Sequence, residues 1–316
     1  MTNTRATASE SDEGEPCATG PVLERIATRA AEVGQLPIHR ALPSRQRRMV
    51  GAWCFLDHAG PIDYAPGQGL RVGPHPHIGL QTFTWMIQGQ IMHRDSLGSE
   101  QVIRPGQVNL MTAGRGISHA EDEASPAAGH LHAVQLWIAL PDAQRHCEPA
   151  FRHYPQLPLH REGGFQVTVL AGSAFGQRAP AQVYSPLLGL DVAAAAAARL
   201  VLPLDPGYEH AVLVVGGVAE VAGESLGVDE LLYLGTGRTQ VALACTEACH
   251  LVLIGGAPFG EDVLLWWNFV ARTTAEMEQA TADWNARRRF GEVIGSPSPH
   301  LVAPDMDGLR LRDKLA

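Results

Sequence analysis

Short runs of apolar and polar positions, broken repeatedly by glycine and proline, make up most of the chain. Leu80-Gln81-Thr82-Phe83-Thr84-Trp85-Met86-Ile87 is rich in β-branched and aromatic residues and partly alternates, which predicts a strand. Val108 to Thr112 predicts another, entered through Pro105-Gly106, and Val134, Leu136, Ile138 and Leu140 share one face of a third. From Phe165 the pattern resumes at 166–171, 200–204, 211–215, 231–234, 241–244 and 251–254, interrupted by Pro206-Gly207, Gly216-Gly217 and Gly235-Thr236-Gly237. The alanine run 193–198 fits either a helical turn or a loose linker.

One helix is expected, near the end. Thr273-x-x-Glu276 has the form of a capping box, and Met277, Ala280, Thr281 and Trp284 fall on one helical face. Arg287, Arg288 and Arg289 would occupy the last turn, where cations suit the helix dipole, and Gly291 would stop it. Two successive sets of short strands thus predict an all-β chain of two similar barrels with a C-terminal helix. The expected boundaries are a disordered tail over 1–20, a first barrel over 21–145, a linker over 146–164, a second barrel over 165–272, and the helix and tail over 273–316. The tail is polar and acidic and has too little apolar surface to offset its ordering entropy.

Composition narrows the function. The 316 residues carry a formal net charge of −9, which argues against a general electrostatic grip on nucleic acid or an anionic membrane. The N-terminus has no basic region followed by an apolar run, and no apolar stretch is long enough to span a bilayer, so the cytoplasm is the expected location. The five cysteines are odd in number and scattered, which fits a reducing compartment. Cys245, Cys249 and His250 lack the further ligands that a zinc site would need nearby. With no obvious exposed coiled coil, the expected state is a monomer.

The chemistry concentrates between Gly69 and Glu121. In a strand, residues i and i+2 point to the same face, so His75-x-His77 can aim two imidazoles into one barrel and His119-x-Glu121 can add a third with a carboxylate. Three nitrogens and one oxygen suit one borderline divalent ion: Fe, Mn, Ni, Cu or Zn. A lone H-x-H is weak, as His130-x-His132 in the same chain illustrates. Its pairing with a glycine-rich turn leading into H-x-E is far more specific.

Gly69, five residues, then His75-x-His77 matches the first cupin motif, and Gly116-x-x-His119 the end of the second. The usual cupin glutamate is absent, Gln81 standing in its place, and the carboxylate is Glu121 instead. With Pro74-His75-Pro76-His77, Met111-Thr112-Ala113-Gly114-Arg115-Gly116-Ile117 and Leu136-Trp137, the chain resembles the pirin family. That resemblance implies a bicupin of two jelly-roll barrels. It implies one metal, iron(II) foremost, in the first barrel on His75, His77, His119 and Glu121, and none in the second. There Glu209-His210 is the only hint of a site, and His210 reads as a turn or surface residue. Many pirins have a basic residue where this chain has Ile78 and Glu where it has Gln81.

The resemblance further implies one of two activities. The first is a quercetin 2,3-dioxygenase-like enzyme acting on an aromatic small molecule and O₂, with Glu121 as the base and Gln135 and His132 lining the pocket. The second is a non-enzymatic redox sensor that binds a protein partner. A deep apolar pocket over the metal would favour the first; a plugged mouth with an exposed charged patch would favour the second.

Overall fold

The computed structural model describes residues 21–306, so the expected disordered tail, 1–20, lies outside the described residues. Among those residues are twenty-six strands and one α-helix. A seven-stranded sheet runs, in spatial order, Ala150–Tyr154, Val108–Thr112, Leu80–Gln88, Gly129–Ala139, Trp53–Tyr64, Leu36–Leu42 and Arg29–Val33. It faces a four-stranded sheet of Arg71–His77, Ile117–Glu123, Ile91–Asp95 and Glu100–Ile103. Together they form the first jelly-roll barrel. In the second, Pro21–Ala27, Glu230–Gly235, Glu209–Gly216, Cys249–Gly256, Leu187–Ala194, Phe165–Ala171 and Leu159–Glu162 face Ala198–Pro203, Gln240–Cys245, Ala219–Val221 and Glu224–Leu226. The alanine run is neither helix nor linker: it closes one strand, turns, and opens the next.

Alternation along strands sorts side chains between two cores. On Gly129–Ala139, Leu131, Ala133, Gln135 and Trp137 face the interior of the first barrel. Val134, Leu136 and Ile138 face away, into a core shared with Leu170, Leu213, Leu231, Val252 and Ile254 of the second barrel. The two seven-stranded sheets therefore pack on each other. The second barrel's own interior is filled by Phe165, Val167, Leu190, Leu200, Val212 and Leu232 among others. His210 belongs to this packing: it is fully buried in Glu209–Gly216, not at a turn or on the surface.

Polar groups fasten the shared core at its margins. Trp53 Nε1 donates to Leu188 O at 3.2 Å and Gly255 O at 3.0 Å, and Trp85 Nε1 to Asp191 Oδ1 at 2.8 Å. His58 contacts Asp229 through Nδ1 at 2.7 Å and His132 through Nε2 at 2.9 Å, while His250 pairs with Asp191. His132, on the face opposite Gln135, is thus a member of the inter-barrel network and does not line the first barrel's interior.

Both ends of the described residues cross over. Pro21–Ala27, expected to open the first barrel, is an edge strand of the second, with Ile26 opposite Leu231 and buried in the shared core. The helix α1, Thr274–Asn285, starts as expected: Thr273 Oγ1 accepts from Glu276 N, and Met277, Ala280 and Trp284 are buried. It stops before the arginines, because Arg287 turns to a φ of 58°. The chain then returns to the first barrel. Leu301 N donates to Pro74 O at 2.9 Å, Trp284 Nε1 donates to Leu301 O at 2.7 Å, and Ser296 and Ser298 donate to Asp122. The approach is so close that a Cβ on Gly73 would run into Pro299 O.

Burial, with His58, His250 and His130 nearby, pushes His132 down to about 3, against the pull of Asp229. An unfolded histidine titrates near about 6.5. Between these values the folded state binds fewer protons than the unfolded one. Stability is therefore complete above about pH 6.5 and drains away as pH falls towards 3. Denaturant midpoints compared near neutrality and near pH 5 should show a larger loss for the native chain than for His132→Gln. Equal losses would contradict the assignment.

Candidate metal centre

His75 and His77 project from Arg71–His77, and His119 from the adjacent Ile117–Glu123, with His119 directly opposite His75 and Ile117 opposite His77. All three are at most 5% exposed. Their candidate ligand atoms lie within 4.8 Å of one another. Ring centroids are 4.3 Å apart for His75–His119, 4.9 Å for His77–His119 and 5.0 Å for His75–His77.

The hydrogen-bond partners fix which nitrogens carry protons. His75 Nδ1 donates to Gly73 O and His77 Nδ1 to Asn268 O, each at 2.9 Å. A neutral imidazole that donates from Nδ1 has a bare Nε2. His77 Nε2 and His119 Nε2 nevertheless stand 3.0 Å apart in a buried space. Burial, aided by the neighbouring imidazoles, holds His77 and His119 well below the ordinary histidine range; burial with His93 takes His75 down to about 4, against its bond to Gly73. Without an ion, a proton on His77 Nε2 or His119 Nε2 can bridge the two nitrogens; with an ion, both can offer lone pairs to it. The donor set fits a borderline divalent metal ion.

Glu121 follows on the same strand, where the pairing with Arg71–His77 slips between His119 and Glu121. The histidine cluster does not include it, but it lines the same cavity. Burial pushes its carboxyl up to about 7, with Asp122 adding to the rise and a hydrogen bond with Thr84 opposing it. Thr84 Oγ1 in turn lies 2.8 Å from Gln135 Oε1, which places Gln135 at the cavity as expected. Ile78 and Gln81 do not line it: Ile78 packs with the C-terminal helix, and Gln81 Nε2 donates to Thr112 Oγ1 and Gln182 O.

The cavity has a volume of about 520 Å³, opens to solvent and is walled largely by apolar side chains. Phe55 and Trp137 stack at 4.0 Å and 11°, and Trp137 meets His77 edge-on with centroids 5.1 Å apart. Arg40 clamps Asp57 through two 2.7 Å bonds, and its guanidinium lies 4.4 Å from the Phe55 ring centroid. Leu265, Trp267, Asn268 and Leu301 of the returning C-terminal segment complete the lining. Sequence reasoning singled out none of Arg40, Phe55, Asp57 or Asn268. Asn268 acts through a backbone carbonyl, for which no side-chain signal exists.

Two stacked jelly-roll barrels with a histidine-lined cavity in the first are the architecture of a bicupin. The pirin family model matches residues 35–138, and the model for the pirin C-terminal cupin domain matches 189–291. A Pseudomonas aeruginosa protein named "Putative quercetin 2,3-dioxygenase" is 54% identical over 285 residues, covering 90% of each chain. A Caulobacter vibrioides "Pirin-like protein" is 38% identical over 282 residues, covering 85% of this chain and 97% of its own. The crystal structure of quercetin 2,3-dioxygenase from Acinetobacter baumannii superposes with a TM-score of 0.89 at 48% identity, covering 92% of this chain and 98% of that one. The chain belongs to the pirin family.

Removing one of the three imidazoles should cost the site most of its affinity while sparing the barrel. After reconstitution with iron(II), His119→Ala should keep the native far-UV circular dichroism and lose most of the metal found by elemental analysis. Full metal content in the variant would show that the ion sits elsewhere.

Proposed function

We propose that this protein is a metal-dependent dioxygenase that opens the central ring of a flavonol such as quercetin. The observation that carries the reading is the largely apolar cavity of about 520 Å³ that the histidine triad lines. Its volume falls within the range of roughly 300–1,000 Å³ usual for small-molecule sites. A redox-sensing regulator needs no such chamber, and a barrel mouth plugged by side chains would have favoured it. The names of the Pseudomonas and Acinetobacter relatives support the same activity.

In this reading His75, His77, His119 and Glu121 hold one divalent ion, iron(II) foremost, with Mn, Ni, Cu and Zn as alternatives. Once bound, the ion supplies Lewis acidity that favours the deprotonated 3-hydroxyl of the flavonol and a redox couple suited to O₂ chemistry. The chain does the rest. The stacked Phe55 and Trp137 offer a flat wall for a planar aromatic substrate. Glu121 takes the 3-hydroxyl proton, either while it holds the ion or after loosening from it, and Thr84 and Gln135 hold the neighbouring polar edge of the cavity. Trp267 and Leu301 add apolar surface to the cavity wall, which would displace water around a bound ring. Oxygen then adds across C2 and C4, C3 leaves as carbon monoxide, and both atoms of O₂ remain in the depside ester product.

Protein reconstituted anaerobically with iron(II) and mixed with quercetin and O₂ should bleach the flavonol absorbance and release one carbon monoxide per turnover. His75→Ala should lose at least about 100-fold in rate, because the ion that would stabilise the developing charge is then poorly held. Tight metal binding with no flavonol turnover would contradict the enzyme reading and favour a protein-binding regulator.

A further inference from the structure

The three histidines differ in what stands behind them. His75 and His77 rest on backbone carbonyls, at Gly73 and Asn268. His119 rests on another imidazole: its Nδ1 is 3.4 Å from His93 Nδ1. His93 is 3% exposed, stacks on Phe151 at 4.2 Å and 11°, and reaches Asp95 Oδ2 through Nε2 at 3.1 Å. Asp95 is 2% exposed, and its other oxygen accepts from Leu97 N at 2.9 Å and Ser99 N at 3.0 Å. Register explains the alignment, since Asp95 lies across from His119 and His93 across from Glu121.

With every ring neutral, the donors and acceptors in this line run one way. Asp95 accepts at both oxygens, so His93 must donate from Nε2. A neutral His93 then presents a bare Nδ1, and His119 must donate from its own Nδ1. That leaves His119 Nε2 bare and facing His77 Nε2. The carboxylate, two residues and one ring away, thereby decides which nitrogen of His119 is free to bind.

We propose that His93 and Asp95 are positioning residues, forming a relay that sets the tautomer of His119 and raises its basicity as a ligand. The proposal rests on the assignment of His119 as a metal ligand. Partners that orient a ligating histidine typically change metal affinity about 10- to 100-fold when removed. The negative charge at the end of the relay also favours the higher oxidation state of a bound iron, a bias that neither backbone carbonyl supplies.

Asp95→Asn inverts the relay with little change of shape. The backbone N–H groups of Leu97 and Ser99 hold the amide oxygen, which turns the amide NH₂ towards His93. His93 must then accept at Nε2 and donate from Nδ1, and His119 must carry its proton on Nε2, where a ligand needs a lone pair. Two measurements on the full-length protein test this. In metal-free protein labelled with ¹⁵N-histidine, His119 should be the Nδ1–H tautomer in the native chain and the Nε2–H tautomer in Asp95→Asn. In chelator competition, iron(II) and zinc(II) should bind Asp95→Asn at least about tenfold more weakly, and the iron reduction potential should rise. His93→Leu, which removes the acceptor and keeps an apolar surface for Phe151, should weaken binding similarly if Asp95→Asn folds poorly. Native affinity and an unchanged His119 tautomer in Asp95→Asn would overturn the relay. If the tautomer inverts while the native chain binds no metal, the relay stands and the metal assignment falls.

Discussion

Three buried imidazoles brought within 4.8 Å of one another are the constraint on which the rest of the structure turns. Burial keeps protons off His77 and His119. Hydrogen bonds to Gly73 O and Asn268 O occupy the outward nitrogens of His75 and His77, and His93 stands behind that of His119. The inward nitrogens face each other. Desolvating and crowding them is costly, and an ion held between them would offset that cost.

The architecture around this point follows from who supplies each contact. Two strands of the first barrel carry the rings, but the carbonyl that orients His77 comes from Asn268, beyond the second barrel. The same returning segment contributes Trp267 and Leu301 to the cavity wall and is fastened to Asp122 and Pro74 of the first barrel. The N-terminal strand crosses the other way, pairing with Glu230–Gly235. Each barrel is thus completed by a piece of chain from beyond the other, and the apolar face between the seven-stranded sheets holds both in place. The second barrel, filled with aliphatic side chains, is the support on which the first is built.

What could be read in the sequence was what strand periodicity determines. His75-x-His77 on one strand and His119 on its neighbour were legible because i and i+2 share a face. The same rule would have separated Gln135 from His132, an odd number of residues apart: the first lines the cavity and the second the inter-barrel network. It would also have drawn attention to His93-x-Asp95, which has the spacing of the ligand pairs. The strand runs beyond Phe165 coincide with strands, apart from Leu204 at the end of one, because short apolar or alternating runs between Gly and Pro breaks leave little room for a helix. His210 was misjudged as a turn or surface residue: it is buried within a strand, and its neighbour Glu209 is satisfied internally by Gly51 N and Tyr233 Oη. Asn268 and the crossover of Pro21–Ala27 were illegible, since both depend on contacts between residues some two hundred positions apart.

The most direct test of the central claim is an anomalous-scattering map from crystals of the iron-reconstituted protein. The account predicts one strong peak in the first barrel, bonded to Nε2 of His75, His77 and His119, and no comparable peak in the second. A peak elsewhere, or a fully reconstituted crystal with none between the three rings, would contradict it.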